Sequence, residues 1–437
     1  MITQAFWATL GMVLLTLVGA EAAGANALKT LFIIHQGGKA GYMDRTGKII
    51  IPPRFDRAGG FREGLAPVQV GDKWGVIDQQ GKTIVAPQFE KVRHYSEGLA
   101  LVKTKEMYGF IDRWGKIVIP TQFKWAYSFA EGLAPVEVEG RCGFIDQKGA
   151  MILPLRYESA QGFSEGLAPV KVDGKWGFID KSGKLVITPR FGSAGPFRQD
   201  MAWVRLGKNR EEKMSFIDRQ GKLIIQLMEP IEGVAVSENL LVVPDLRRYW
   251  GYRDATGKWV IPPRFTFALP FSEGLAAVQD GKVGKYGFID KTGKLVIPPG
   301  YDNIERGFSE GLAAVQVQGK WGYIDQQGKM VIPPKFDTAW SFAGGLAEVI
   351  QGETEGYIDK TGEWVWPPGQ LQEPPSPPPG EVQPSPDKPP QKKENLTYED
   401  RRAWREILKW PERCGAGPGN GIPHPETSPL VFRRVLK

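Results

Sequence analysis

The sequence predicts an all-β fold: a tandem array of about ten 34-residue, three-stranded antiparallel meanders, with a short α-helical C-terminal tail. Three observations predict it. Of 437 residues, 54 are Gly, 35 are Pro and 11% are aromatic, a composition suited to many short strands and turns. A pattern Gly-aromatic-Ile-Asp-x-x-Gly-Lys recurs ten times with substitutions, led by Gly41, Gly75, Gly109, Gly143, Gly177, Ser215, Gly251, Gly287, Gly322 and Gly356. Each lead is followed three residues later by Asp and six residues later by Gly, without exception.

Each period reads as one unit, and residues 64–98 serve as the example. In 65–70, Ala66, Val68 and Val70 alternate onto one face of a strand. Gly71-Asp72 turns the chain, and 74–78 form a second strand. The Asp78 carboxylate can accept main-chain N–H groups of the following turn, and Gly81 supplies the positive φ of a type I turn with a G1 bulge. The same chemistry recurs at Asp180 with Gly183 and at Asp325 with Gly328. Residues 82–85 make the third strand, which Pro87 is expected to end. Phe89 then opens an irregular return segment that finishes at Tyr95-Ser96-Glu97-Gly98.

Three strands this short bury little by themselves, so the aromatics must pack on neighbouring units. One series follows the third strand (Phe55, Phe89, Phe123, Tyr157 and their successors), and the other precedes the Glu-Gly pair (Phe61, Tyr95, Phe129, Phe163 and theirs). An open superhelix or solenoid is expected, because ten blades is high for a propeller and an insertion at 207–213 would disturb closure. The alternative is a closed, propeller-like ring.

The motifs Lys73-Trp74-Gly75-Val76-Ile77-Asp78, Lys175-Trp176-Gly177-Phe178-Ile179-Asp180 and Lys320-Trp321-Gly322-Tyr323-Ile324-Asp325 resemble the core of the bacterial WG repeat. So do the flanks Val331-Ile332-Pro333-Pro334-Lys335-Phe336-Asp337 and Phe271-Ser272-Glu273-Gly274-Leu275-Ala276. The resemblance implies a β-rich repeat, found mostly in bacterial and often exported proteins, with no general activity to transfer. The name-giving Trp stands at Trp74, Trp176, Trp250 and Trp321; Ala40, Tyr108, Cys142, Met214, Tyr286 and Glu355 replace it elsewhere.

The array is expected to span residues 28–368, with a break or degenerate unit at 195–250 where the Pro-Pro-x-Phe signature is lost. Before it, an apolar run at 5–20 ends in Ala20-Glu21-Ala22, the pattern of a signal peptide of residues 1–22, although no Lys or Arg precedes the run. After it come a Pro-rich linker at 369–395 and a tail at 396–437 that carries one short helix. Export into the periplasm or medium is therefore expected. Two cysteines, Cys142 and Cys414, exclude a disulfide scaffold, and Cys142 is expected to pack as a small apolar residue. The net charge of +7 comes from 56 basic and 49 acidic residues without long basic runs, so no nucleic-acid partner is expected.

No phosphate loop, His-Glu-x-x-His or Cys-x-x-Cys occurs. Gly-x-Ser-x-Gly appears at 162–166 and 307–311, but both are copies of the repeat's Phe-Ser-Glu-Gly segment. The ten Asp residues suit hairpin turns better than a calcium site. The recurring Glu (Glu63, Glu97, Glu131, Glu165, Glu238, Glu273, Glu310; Gln199 and Gly344 replace it) suits a structural role better than a glycosidase pair. No catalytic residue, metal or cofactor is expected. The binding candidates are Trp74, Tyr108, Trp176, Trp250, Tyr286 and Trp321, against the competing reading that they pack between units. The expected function is a non-enzymatic binding or scaffold role in the bacterial cell envelope, toward a protein or envelope polymer. The alternative is an envelope hydrolase using clustered carboxylates.

Overall fold

A computed structural model of the chain describes residues 30–207, 213–227 and 234–366. The expected signal peptide, Pro-rich linker and helical tail lie outside the described residues, as does most of the 207–213 insertion. Among the described residues, all regular structure is β, arranged as ten antiparallel sheets in chain order. The first sheet has three strands and the other nine have four.

Sheet 2 shows the unit. Its strands Arg57–Ala58, Leu65–Val70, Lys73–Asp78 and Thr83–Phe89 hydrogen-bond in that order. The unit is thus four-stranded, where the sequence suggested three. The extra strand is two residues long and lies where an irregular return was expected. It pairs Arg57 with Gln69 and Ala58 with Val68, too short a ladder to leave a period-2 signal.

The last strand, at the free edge, also runs past its proline. Its register pairs Val76 with Val85 and then Trp74 with Phe89, so Ala86, Pro87 and Gln88 bulge opposite Gly75. Pro87 sits where the ladder needs no N–H, which is why it does not end the strand. The bulge explains the lead glycine. At Gly177 a Cβ would stand 2.5 Å from the Ile187 carbonyl oxygen and 2.7 Å from Pro189 N. Sheet 6 supports the same logic in reverse: its edge strand Leu223–Gln226 lacks this bulge, and there Ser215 replaces Gly.

The sheets close into a ring, which corrects the expectation of an open superhelix. The turn glycine of each sheet faces the edge strand of the sheet before it: Gly81 faces Ile51, Gly149 faces Ile119, and Gly328 faces Ile297. Gly47 of sheet 1 faces Val365 of sheet 10 in the same way. Ile34 and Met43 share a core with Leu346, and Tyr357 Oη donates to the Ile33 carbonyl at 3.0 Å. The molecule is a ten-bladed β-propeller. The insertion interrupts no strand: it falls in sequence between Ala202–Arg205 and Met214–Ile217, which pair with each other. The irregular region at 195–250 keeps its seams too, since Asn239 N donates to Gln199 Oε1 at 2.7 Å and Gly257 faces Ile224.

The core sits between sheets. Phe178 and Ile187 of sheet 5, for example, cluster with Phe197, Val204 and Ile217 of sheet 6. At several seams an aromatic from one sheet meets the Phe two residues ahead of the next sheet's seam turn: Phe110 with Phe129, Phe178 with Phe197, Tyr323 with Phe342, all at centroid distances of 4.8 to 4.9 Å. Tilted aromatic pairs of this kind add about 1 kcal/mol beyond the area they bury. Cys142 is buried in one of these cores.

Candidate functional site

The repeated carboxylates have defined partners. Asp78 Oδ1 accepts from Gln80 N at 3.0 Å and Lys82 N at 2.9 Å. Asp325 Oδ1 accepts from Gln327 N and Lys329 N at 3.0 and 2.9 Å. Asp180 Oδ1 accepts from Ser182 N, Ser182 Oγ and Lys184 N, and the serine hydroxyl leads in holding this carboxyl below its ordinary range. Gly81, Gly183 and Gly328 each complete the turn at φ 81°. Every one of these bonds is local to its own hairpin, so the three Asp residues remain in separate sheets. Among the described residues, no group of three His, Cys, Asp or Glu side chains is placed to hold a metal ion.

The recurring Glu reaches across the seam. Glu63 takes φ 52° and Gly64 φ 80° in a two-residue turn closed by Arg62 and Leu65, the geometry of a type I′ hairpin. A left-handed non-glycine residue costs about 1–2 kcal/mol. The return is a bond to the next sheet: Glu63 accepts from Gly98 N at 3.0 Å, Glu97 from Gly132 N at 2.9 Å, and Glu131 from Gly166 N at 3.1 Å. Glu165 continues to Asp200 N, Glu238 to Gly274 N, Glu273 to Gly311 N, and Glu310 to Gly345 N. A side chain just after the next hairpin Asp closes the arrangement, as when Lys181 Nζ lies 3.2 Å from Glu131 and Lys291 Nζ 2.8 Å from Glu238. Burial opposes ionisation of Glu238, but Lys291 and the Gly274 N–H outweigh it and hold the carboxyl below its usual range.

The six aromatic candidates occupy equivalent positions in six different sheets, and the ring does not bring them together. Each faces the terminal aromatic of its own edge strand: Trp74 opposite Phe89, Tyr108 opposite Phe123, Trp176 opposite Phe191, Trp250 opposite Phe265, Tyr286 opposite Tyr301, Trp321 opposite Phe336. Trp176 and Trp250 are only 8% and 7% exposed. Trp74, Tyr108, Tyr286 and Trp321 are half-buried against the seam cores. Tyr108 stacks on Trp125, which stacks in turn on Tyr127, at 5.3 and 5.4 Å.

Exposed apolar side chains lie elsewhere, at the start of the free edge strands. Ile117 and Val118, Met151 and Ile152, Leu185 and Val186, and Leu295 and Val296 are all exposed, and Trp114 beside the first pair is 78% exposed. The sequence reading missed this band. The signal was present as two apolar residues shortly after most of the turn glycines, but the alternation that separates buried from exposed faces applies only where a strand has a covered side.

Several comparisons bear on these features. The crystal structure of Hsv2 from Kluyvelomyces marxianus matches at 10% identity, covering 54% of this chain and 94% of that one, with a TM-score of 0.33. Hsv2p from Kluyveromyces lactis matches at 9% identity, 52% and 89% coverage and a TM-score of 0.31. A catalytically inactive virginiamycin B lyase from Staphylococcus aureus, solved with quinupristin, matches at 12% identity, 62% and 92% coverage and a TM-score of 0.28. At these scores the likenesses carry no argument about this chain. No curated protein matches it. The family model "WG containing repeat" matches eight times, at residues 41–74, 74–106, 108–142, 143–176, 176–209, 250–283, 286–321 and 321–354. With its repeats accounted for by the bulge over each lead glycine, the hairpin Asp and the seam Glu, the chain belongs to the WG containing repeat family.

Proposed function

We propose that this protein is an exported, non-enzymatic ring of the bacterial cell envelope that binds or scaffolds a protein or envelope polymer. The observation that carries the reading is the series of exposed apolar residues on consecutive free edge strands, Ile117 and Val118, Met151 and Ile152, and Leu185 and Val186, with Trp114 exposed in the turn before the first. Exposed apolar side chains and unpaired strand edges are features by which β-proteins engage partners. The repeated carboxylates, by contrast, are engaged in turns and seams, which favours architecture over chemistry for them. Export rests on the apolar run at 5–20 and the Ala20-Glu21-Ala22 segment.

Photo-crosslinking in intact cells tests the binding role. A benzophenone residue at position 117 or 185 is expected to give discrete adducts, and one at the exposed position 247 is not. Adducts equally frequent at all three positions, or at none, contradict the reading. N-terminal sequencing of the mature chain tests export, with Ala23 as the expected first residue.

A further inference from the structure

The seam that closes the ring lacks the carboxylate found at other seams. At the eight seams from sheets 2–3 to sheets 9–10, a Glu carboxylate, or Gln199 in one case, spans from its turn to the main chain of the next sheet, while the equivalent residue at the seam of sheets 1 and 2, Lys29, lies outside the described residues. In sheet 10 that position is Gly344, so the seam into sheet 1 has no such side chain. Its recipients are nevertheless present. Thr30 stands where Gly98 and Gly132 stand in later sheets, and Arg45 stands where Lys181, Lys291 and Lys360 stand, just after the hairpin Asp. Arg45 lies directly beside the Gly344–Gly345 turn: a Cβ on Gly345 would sit 3.1 Å from Arg45 Nε.

A cleft of about 420 Å³ opens here, lined by Arg45, Glu310, Gly344, Gly345, Asp359 and Lys360 among others. Its two carboxylates are occupied. Glu310 accepts from Gly344 N and Gly345 N and pairs with Lys360 at 3.4 Å, and Asp359 Oδ1 accepts from Thr361 N, Thr361 Oγ and Glu363 N. Arg45 is in no hydrogen bond or ion pair among the described residues. The cleft therefore carries two cations and two carboxylates, of which Arg45 alone makes no hydrogen bond or ion pair among the described residues, and it stands where the repeat elsewhere places a cation for a glutamate.

We propose that the closing seam is a carboxylate-binding site for an acidic peptide segment of a partner, whose glutamate side chain meets Arg45 from the open side of the cleft, beside the Gly344–Gly345 turn. The occupant's best template is the molecule's own Glu-Gly turn, because at seven other seams such a turn presents its carboxylate to the following sheet. The site is separate from the aliphatic band, and each proposal can fail without the other.

The test uses the full chain and a fluorescent, end-blocked hexapeptide Phe-Ser-Glu-Gly-Leu-Ala, read by anisotropy. The peptide is expected to bind, and its Glu-to-Gln analogue to bind about tenfold more weakly, as the loss of a charge-assisted bond requires. Arg45→Gln should weaken the Glu peptide by a similar factor, and Arg247→Gln, an exposed arginine elsewhere, should not. Restoring the repeat in the double variant Thr30→Gly, Gly344→Glu should abolish peptide binding and leave the unfolding midpoint equal or higher. Both substitutions are needed, since a Cβ at 344 alone would stand 2.7 Å from Thr30 Cγ2. Absence of binding, equal binding of the two peptides, or equal losses from Arg45→Gln and Arg247→Gln would each overturn the proposal.

Discussion

An interior seam and the closing seam do the same job with different parts. Between sheets 5 and 6, Phe178 packs on Phe197 at 4.9 Å, Ser164 Oγ donates to the Phe197 carbonyl at 2.7 Å, and Glu165 reaches Asp200 N at 2.9 Å. Between sheets 10 and 1, Phe32 comes from a strand rather than a loop and meets Tyr357 edge-on at 5.6 Å. The Tyr357 hydroxyl supplies the polar link, and the Glu bond is missing. The difference teaches which parts are indispensable. Aromatic packing and the glycine facing an edge strand occur at both seams, so they define closure, while the Glu ladder reinforces it.

The largest expected effect separates the two aromatic anchors. Phe197→Ala, at a fully buried interior position, should destabilise by about 3–5 kcal/mol in denaturant unfolding. Phe32→Ala, at a half-buried closing position, should cost about 1–2 kcal/mol. Equal losses would mean that the closing seam is packed as tightly as the others.

Acid should weaken an interior seam selectively. Burial, chiefly, together with the Arg62 and Arg93 charges pushes His94 down to about 4, against a stabilising bond at Gly60. The folded state therefore favours the neutral ring, and the unfolded chain binds the extra proton between pH 6.5 and 4. The contribution is complete above pH 6.5 and is lost as pH falls toward 4, amounting to about 3 kcal/mol. His94→Gln should flatten the pH dependence of the unfolding midpoint across that window.

Glu131→Ala should cost about 1–2 kcal/mol, since it leaves Gly166 N and Lys181 without their partner. Gly344 already lacks that side chain, so the closing seam has no corresponding loss to measure. The smallest effect is the sharpest comparison. Tyr323→Phe removes a 2.8 Å bond to the Trp340 carbonyl, and Tyr357→Phe removes the 3.0 Å bond that joins sheet 10 to sheet 1. Each should cost about 1 kcal/mol. A loss for Tyr323 with none for Tyr357 would place the closing bond outside the solution structure.

What the sequence made legible was local. The spacing from Asp78 to Gly81 is set by one hairpin, and a hairpin needs no knowledge of its neighbours. The two-residue strand Arg57–Ala58 was illegible because its partner, Gln69 and Val68, is chosen by how sheet 1 hands the chain to sheet 2. The role of Glu63 was half legible: repetition marked it as structural, but a period cannot reveal that its partner lies in the next unit. Closure depends on the summed rotation of ten sheets, which no single motif encodes. Arg45 illustrates the limit most clearly. It is an ordinary exposed arginine until the ring sets it beside a turn whose Glu has become Gly344.

Closure itself is best tested by a pair of electron–electron distance measurements. Spin labels at Thr46 and Thr361, in a background without Cys142 and Cys414, span the closing seam at the same turn position that labels at Ser182 and Gln220 span an interior one. A closed ring predicts two narrow distributions at the same short distance. A long or broad distribution for 46–361 beside a narrow one for 182–220 would contradict it.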